Sequence, residues 1–134
     1  MKSLSQERSA FAYEKAKSAF KKIGSMKEFS SFVAGLPAMI LQNGLGHTLC
    51  FLLAKAANQG DNKYKKDDKH WLAFEALAEW LKERGMLSFD INKPADLIEE
   101  ITKKGVLEVI AIQEEALRFL EWFKVVSKVF VEDK

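Results

Sequence analysis

The stretch that decides the fold is Leu36-Pro-Ala-Met-Ile-Leu-Gln-Asn-Gly-Leu-Gly-His-Thr-Leu-Cys-Phe-Leu-Leu-Ala-Lys-Ala-Ala57. Gly35 can end a preceding element, and Pro37 suits a first helical turn, where its missing N–H has no intrahelical partner to lose. Gly60 can adopt the left-handed conformation that closes a helix. The apolar residues between them do not keep to one face, and a helix apolar nearly all round must be surrounded by protein or by lipid. The spacing therefore predicts one central helix over 37–59. Gln42, Asn43, Gly44 and Gly46 fall in its first half, where leucine and alanine would be the ordinary choices. Each glycine costs a helix roughly 1 kcal/mol relative to alanine, and both allow another segment to approach the backbone. The residue chemistry leaves two readings of the motif Gln42, Asn43, Gly44, Gly46 and His47. One is a buried, hydrogen-bonded packing staple; the other is a contact surface for RNA or a partner subunit.

The flanking sequence extends the helical pattern. Ser3 with Gln6, and Ser25 with Glu28, have the spacing of capping boxes. The predicted helices cover 4–23, 26–34, 37–59, 69–84, 94–104 and 106–131, and no segment has the turn chemistry of a strand pair. The prediction is an all-α, single-domain bundle (1–134) of about five to six helices around the central apolar helix near 37–59. The first helix is expected to bury Tyr13, Ala16, Phe20 and Ile23, with Ala12, Ala16 and Ala19 keeping the face thin. The fourth is expected to bury Trp71, Phe74, Leu77, Ala78 and Leu81. Val106–Ile112 would also suit a strand, but the helical spacing that follows extends the last helix back through it. The segment 60–69 is a polar connection, and Leu87, Phe89 and Ile91 alternate as if to tuck against the bundle.

The chain of 134 residues has 21 Lys and Arg against 19 Asp and Glu, for a net charge of +2. The charge is unevenly divided: residues 1–70 carry +6 and residues 71–134 carry −4. Such asymmetry suits a polyanion-binding face or head-to-tail packing of copies. One cysteine excludes a disulfide framework. The N-terminal residues lack a signal peptide's apolar run, and the 36–57 stretch is interrupted by Gln42, Asn43, His47 and Lys55, so a soluble cytoplasmic protein is expected, without a membrane partner.

No catalytic or metal-binding pattern emerges. His47 and His70 lack nearby ligand motifs; His47 is expected to be partly buried and hydrogen-bonded, and Cys50 to be a small core residue. Glu99–Glu100 and Glu114–Glu115 are adjacent pairs that diverge on a helix and read as solvated faces. Gly44-Leu-Gly46 follows no strand and lacks the lysine of a phosphate loop. Neither a cofactor, a metal nor a small-molecule substrate is predicted. Arg8, Lys15 and Lys22 recur every seven residues, forming a stripe about 10 Å apart per step. Such a stripe suits a phosphate backbone, and a merely solvated basic edge would have the same sequence.

Three segments in order carry a family resemblance: Arg8 with Ala12-Tyr13, then Leu36-Pro-Ala-Met-Ile-Leu-Gln-Asn-Gly-Leu-Gly-His-Thr-Leu49, then Glu115-Ala-Leu-Arg-Phe-Leu-Glu-Trp-Phe-Lys124. Together they resemble the small helical subunit of the type III-B (Cmr) CRISPR effector complex, with departures at His47 and Val125-Val126. The resemblance implies a non-catalytic subunit whose partners are other Cmr-complex proteins, further copies of itself and the crRNA–target RNA duplex. Several copies would form a minor filament in antiviral defence. With that implication the RNA-binding candidates are Arg8, Lys15, Lys22 and Lys55. A purely structural adaptor without RNA contact is the alternative, and an RNA-cleaving enzyme dependent on His47 is a third class.

Overall fold

The computed structural model describes residues 1–58 and 63–132. Among the described residues seven helices follow one another: α1 (Leu4–Lys22), α2 (Met26–Ala34), α3 (Leu36–Asn43), α4 (Leu45–Ala56), α5 (Lys69–Glu83), α6 (Ala95–Thr102) and α7 (Val106–Glu132). The chain is all-α, with one isolated antiparallel bridge, Ala57 to Tyr64, among the described residues.

The long central helix of the sequence reading is corrected. Residues 36–56 form two helices broken at Gly44, whose φ of 90° and ψ of 159° lie outside any helical region. A side chain is disfavoured at that φ, which explains a glycine there. The Gly44 N–H closes α3 on the Ile40 carbonyl at 2.7 Å. The α4 helix ends at Ala56, short of the predicted boundary. Its end is tied down instead by Lys65 N–H donating to the Ala56 carbonyl (2.8 Å) and Asn58 N–H to that of Lys63 (2.9 Å). Gln59 and Gly60, the expected terminus, lie outside the described residues.

The helix enclosed nearly all round is α5. Nine of its fifteen residues are buried, including the expected Trp71, Phe74, Leu77, Ala78 and Leu81, and also Leu72, Ala73, Ala76 and Trp80. It packs against α4, α7, α1 and α2. Asp68 starts it by accepting from the His70 N–H at 2.7 Å. Gly85, at φ 72°, reverses the chain after it, and the Met86 N–H returns to the Leu81 carbonyl at 3.0 Å, the closing bond of a glycine-terminated helix. Leu87 and Phe89 then tuck into the core, while Ile91 faces out.

The outer helices follow from small seams and caps. In α1 Ser3 and Gln6 form the complete capping box. Ala12, Ala16 and Ala19 are buried and let α7 approach, making α1 with α7 the most extensive helix pair. Because that alanine seam is the line of closest approach, Tyr13 is turned to the edge; it is exposed, against expectation, with its ring 5.5 Å from that of Phe130. Phe20 and Ile23 are partly buried against the core. In α2 only half of the expected box forms: Ser25 caps the Glu28 N–H at 3.2 Å, while the Glu28 carboxylate pairs with Lys69. Val106–Ile112 is helical, and α7 first reaches the core at Ile112. Trp80, Phe119 and Phe123 stack in sequence, at centroid separations of 5.7 and 5.5 Å, through the middle of the bundle.

Candidate nucleic-acid interface

The α1 row is not a free cationic edge. Arg8 makes a two-pronged pair with Glu115 of α7, Nε to Oε2 at 2.7 Å and Nη2 to Oε1 at 2.9 Å. Only 11% of the Arg8 side chain and 7% of the Glu115 side chain are exposed. The Trp80 indole N–H donates to the same Oε2 at 2.8 Å. Burial alone pushes the Glu115 carboxyl up. The hydrogen bonds from Arg8 and Trp80, with the positive charges of Arg8 and Arg84, outweigh it and hold the group below its usual range. Reading Glu114 and Glu115 together as solvated is therefore right for Glu114 and wrong for Glu115. An arginine so engaged has two of its five donors committed and its charge largely balanced, which leaves less of it for a phosphate. Lys15 is likewise paired, with Glu79, and lies 5.6 Å from the Phe11 ring centre. Lys22 alone of the row is exposed and makes no ion pair among the described residues.

Lys55 belongs to a different surface. His47, Phe51 and Lys55 follow one turn apart on the outer face of α4. His47 and Cys50 are exposed there, correcting the expectations of a hydrogen-bonded histidine and a core cysteine. The Lys55 ammonium lies 5.9 Å from the Phe51 ring centre, and Phe51 meets His70 edge-on at 5.9 Å. His70 meets Phe32 at 4.9 Å, and Lys69 lies 5.3 Å over Phe32. Asp68 fixes the His70 ring through Nδ1 at 2.8 Å. Lys66 sits 4.3 Å over Trp71, itself stacked with Tyr64 at 5.3 Å. Phe32, Phe51 and His70 are half-buried. Alternating ammonium groups and half-covered rings are the parts from which single-stranded nucleic-acid sites are made. The 47-51-55 spacing was legible in the sequence. The roles of Phe32 and His70 were not, because α2, α4 and α5 have to meet to bring Phe32, Phe51 and His70 together.

The Gln42–His47 motif is not a buried staple: Gln42 and Asn43 are exposed on the last turn of α3. The side chain that fastens this junction is Gln113 of α7, whose Oε1 accepts from the Leu45 N–H at 3.0 Å. Thr48 Oγ1 adds a bond to the Gly44 carbonyl at 2.9 Å. Gly46 faces Ile101 of α6, the segment that approaches its backbone. Among the described residues no group of three or more His, Cys, Asp and Glu could hold a metal ion, and no helix is long and apolar enough to cross a membrane.

A family model for the CRISPR-associated protein (Cas_Cmr5) matches residues 4–130. The chain belongs to the Cmr5 family. The crystal structure of a CRISPR-associated Cmr5 family protein from Thermus thermophilus is similar over 98% of this chain and 99% of that one, at 25% identity and a TM-score of 0.70. Cmr5 is a small structural subunit of the type III-B Cmr complex, distinct from its catalytic subunit.

Proposed function

We propose that this Cmr5 protein is a cytoplasmic, non-catalytic subunit that forms a minor filament beside the guide and helps hold target RNA paired with the crRNA in antiviral defence. The observation that supports RNA contact is the lysine–aromatic ribbon of Lys55, Phe51, His70, Phe32 and Lys69, together with Lys66 over Trp71. Its phosphate contacts would come from Lys55 and Lys66, with Lys22 as a separate contact. Base specificity is not required of it, because pairing with the guide supplies sequence recognition. A few contacts per copy bind weakly and fall with salt, while several copies on one strand raise the effective concentration of each.

The test uses the reconstituted complex. The double change Lys55→Glu, Lys66→Glu should lower target retention and reduce the slope of log affinity against log salt by about 2. Lys22→Glu should give a smaller loss. Unchanged retention in all three positions overturns the RNA-facing surface. A structural adaptor with no RNA contact is the second reading, supported by the pairing of Arg8 and Lys15 with carboxylates. Photocrosslinking separates the two readings: an adaptor yields no target-RNA crosslinks from this subunit.

A further inference from the structure

Residues just before α5 and just before α6 wall a cavity of about 590 Å³. Lys63, Lys66 and Lys93 line it together with Tyr64, Ile91 and Asn92, and among the described residues no carboxylate does. All three lysines are exposed, and none makes an ion pair among the described residues. The nearest acids in sequence are engaged elsewhere or stand apart. Asp90 Oδ1 accepts from the Asn92 N–H at 2.9 Å, Asp68 Oδ2 holds the His70 ring at 2.8 Å, and Asp96 lines a separate cavity with Lys82. Asp67 is exposed and pairs with no lysine. A concave site with several uncompensated positive charges concentrates anions.

The lysines stand on a fixed frame. Lys63 has a φ of 91°, a conformation that residues with a side chain rarely adopt. The Asn58 N–H donates to the Lys63 carbonyl at 2.9 Å, and the antiparallel bridge from Ala57 to Tyr64 follows directly. The Lys66 ammonium lies 4.3 Å over the Trp71 ring, which stacks on Tyr64. The Lys93 N–H closes a turn on the Asp90 carbonyl at 2.9 Å. Strained positions such as Lys63 cluster at binding sites, where a side chain is kept in spite of its local cost.

We propose that this cavity seats phosphate groups of the RNA backbone, with Lys63, Lys66 and Lys93 as their counter-charges and Asn92 as a neutral donor. The inference rests on the RNA contact argued above: Lys66 belongs to both, and Lys63 and Lys93 are new to it. The ammonium group is a compact point charge that suits a phosphate oxygen. A protein partner fits the site less well. Lysine is depleted where proteins meet, the centre of such a contact is apolar, and Ile91, at 41%, is the one large hydrophobic side chain of the lining that is exposed. A free nucleotide also fits less well, because small ligands are mostly enclosed by their pockets, and here every lysine is open to solvent.

The experiment uses the reconstituted, crRNA-loaded complex. Lys63→Ala with Lys93→Ala, leaving Lys66 in place, should weaken target RNA retention several-fold and reduce the slope of log affinity against log salt by about 1–2. Lys82→Ala with Lys103→Ala removes the same charge elsewhere and should have a clearly smaller effect. Lys63→Gly alone should weaken retention while the thermal midpoint of the isolated protein stays level or rises, because glycine accepts the positive φ; a purely structural lysine would give unchanged retention. Equal losses from the two alanine pairs reduce the effect to overall charge and overturn the site. A folded Lys63→Ala, Lys93→Ala subunit that no longer enters the complex makes the cavity a protein contact and likewise overturns it. Should that pair fail to fold, Lys63→Gly with Lys93→Gln takes its place. Unchanged retention beside a loss in Lys55→Glu, Lys66→Glu overturns this cavity and leaves the RNA-facing reading standing, whereas no loss in either overturns both.

Discussion

Glu114 and Glu115 are neighbours in sequence with opposite environments, one in solvent and one inside the bundle with Arg8 and Trp80. The buried pair holds α1, α5 and α7 in register, and breaking such a pair from one side leaves a charge without a partner. Arg8→Met should therefore cost about 3–5 kcal/mol in urea unfolding, while adding Glu115→Leu should recover much of the loss. The folded protein holds the Glu115 carboxyl below its usual range, so its contribution is fully present above the unfolded value, about 4.3. That contribution is lost as the pH falls through the lower, folded value. Stability measured from pH 7 downward should decline more steeply in the native protein than in the Arg8→Met, Glu115→Leu variant. The two glycines of the motif should also behave differently. Gly44→Ala should destabilise by about 1–2 kcal/mol, since its φ is positive. Gly46→Ala should be tolerated or gain up to about 1 kcal/mol, because the new methyl would meet Ile101 at an ordinary 3.6 Å within a helix. Thermal unfolding of the two variants side by side checks both.

Among the elements, α1 and α7 show how small residues set a packing line. Ala12, Ala16 and Ala19 are fully or almost fully covered, so a larger side chain there has nowhere to go. Ala16→Leu should overpack the seam and cost about 1–3 kcal/mol by chemical denaturation, whereas the same change at exposed Ala10 should be near neutral. At this scale much was legible: six predicted segments correspond to real helices, with caps at Ser3 and Ser25 and the helical reading of Val106–Ile112. The break at Gly44 was not. Apolar periodicity cannot distinguish one long helix from two short ones that both bury leucines, and a single glycine is tolerated in either. The burial of Glu115 was likewise hidden, because its partners lie 107 and 35 residues away in the chain.

For the whole molecule, the division of charge along the chain is a sum over sites with separate fates. Part of the N-terminal excess is neutralised internally by Glu115 and Glu79, while Lys22 stays exposed on α1, Lys55 flanks Phe51 and Lys66 lies over Trp71. Reversing Lys55 and Lys66 should accordingly lower RNA retention and leave the thermal unfolding midpoint of the isolated protein nearly unchanged, since neither makes an ion pair among the described residues. Measuring both quantities on the double variant checks that separation. The sequence by itself determined the all-α class, every helix start but that of α4, and the family, because caps, local spacing and short motifs act over a few residues. Only the tertiary structure decided that α5 is the enclosed helix, that Arg8 and Lys15 are occupied, and that Lys55 shares a surface with His70 and Phe32. Each of those depends on which distant side chains meet, and a charge already balanced by a buried carboxylate attracts a phosphate less than a free one does.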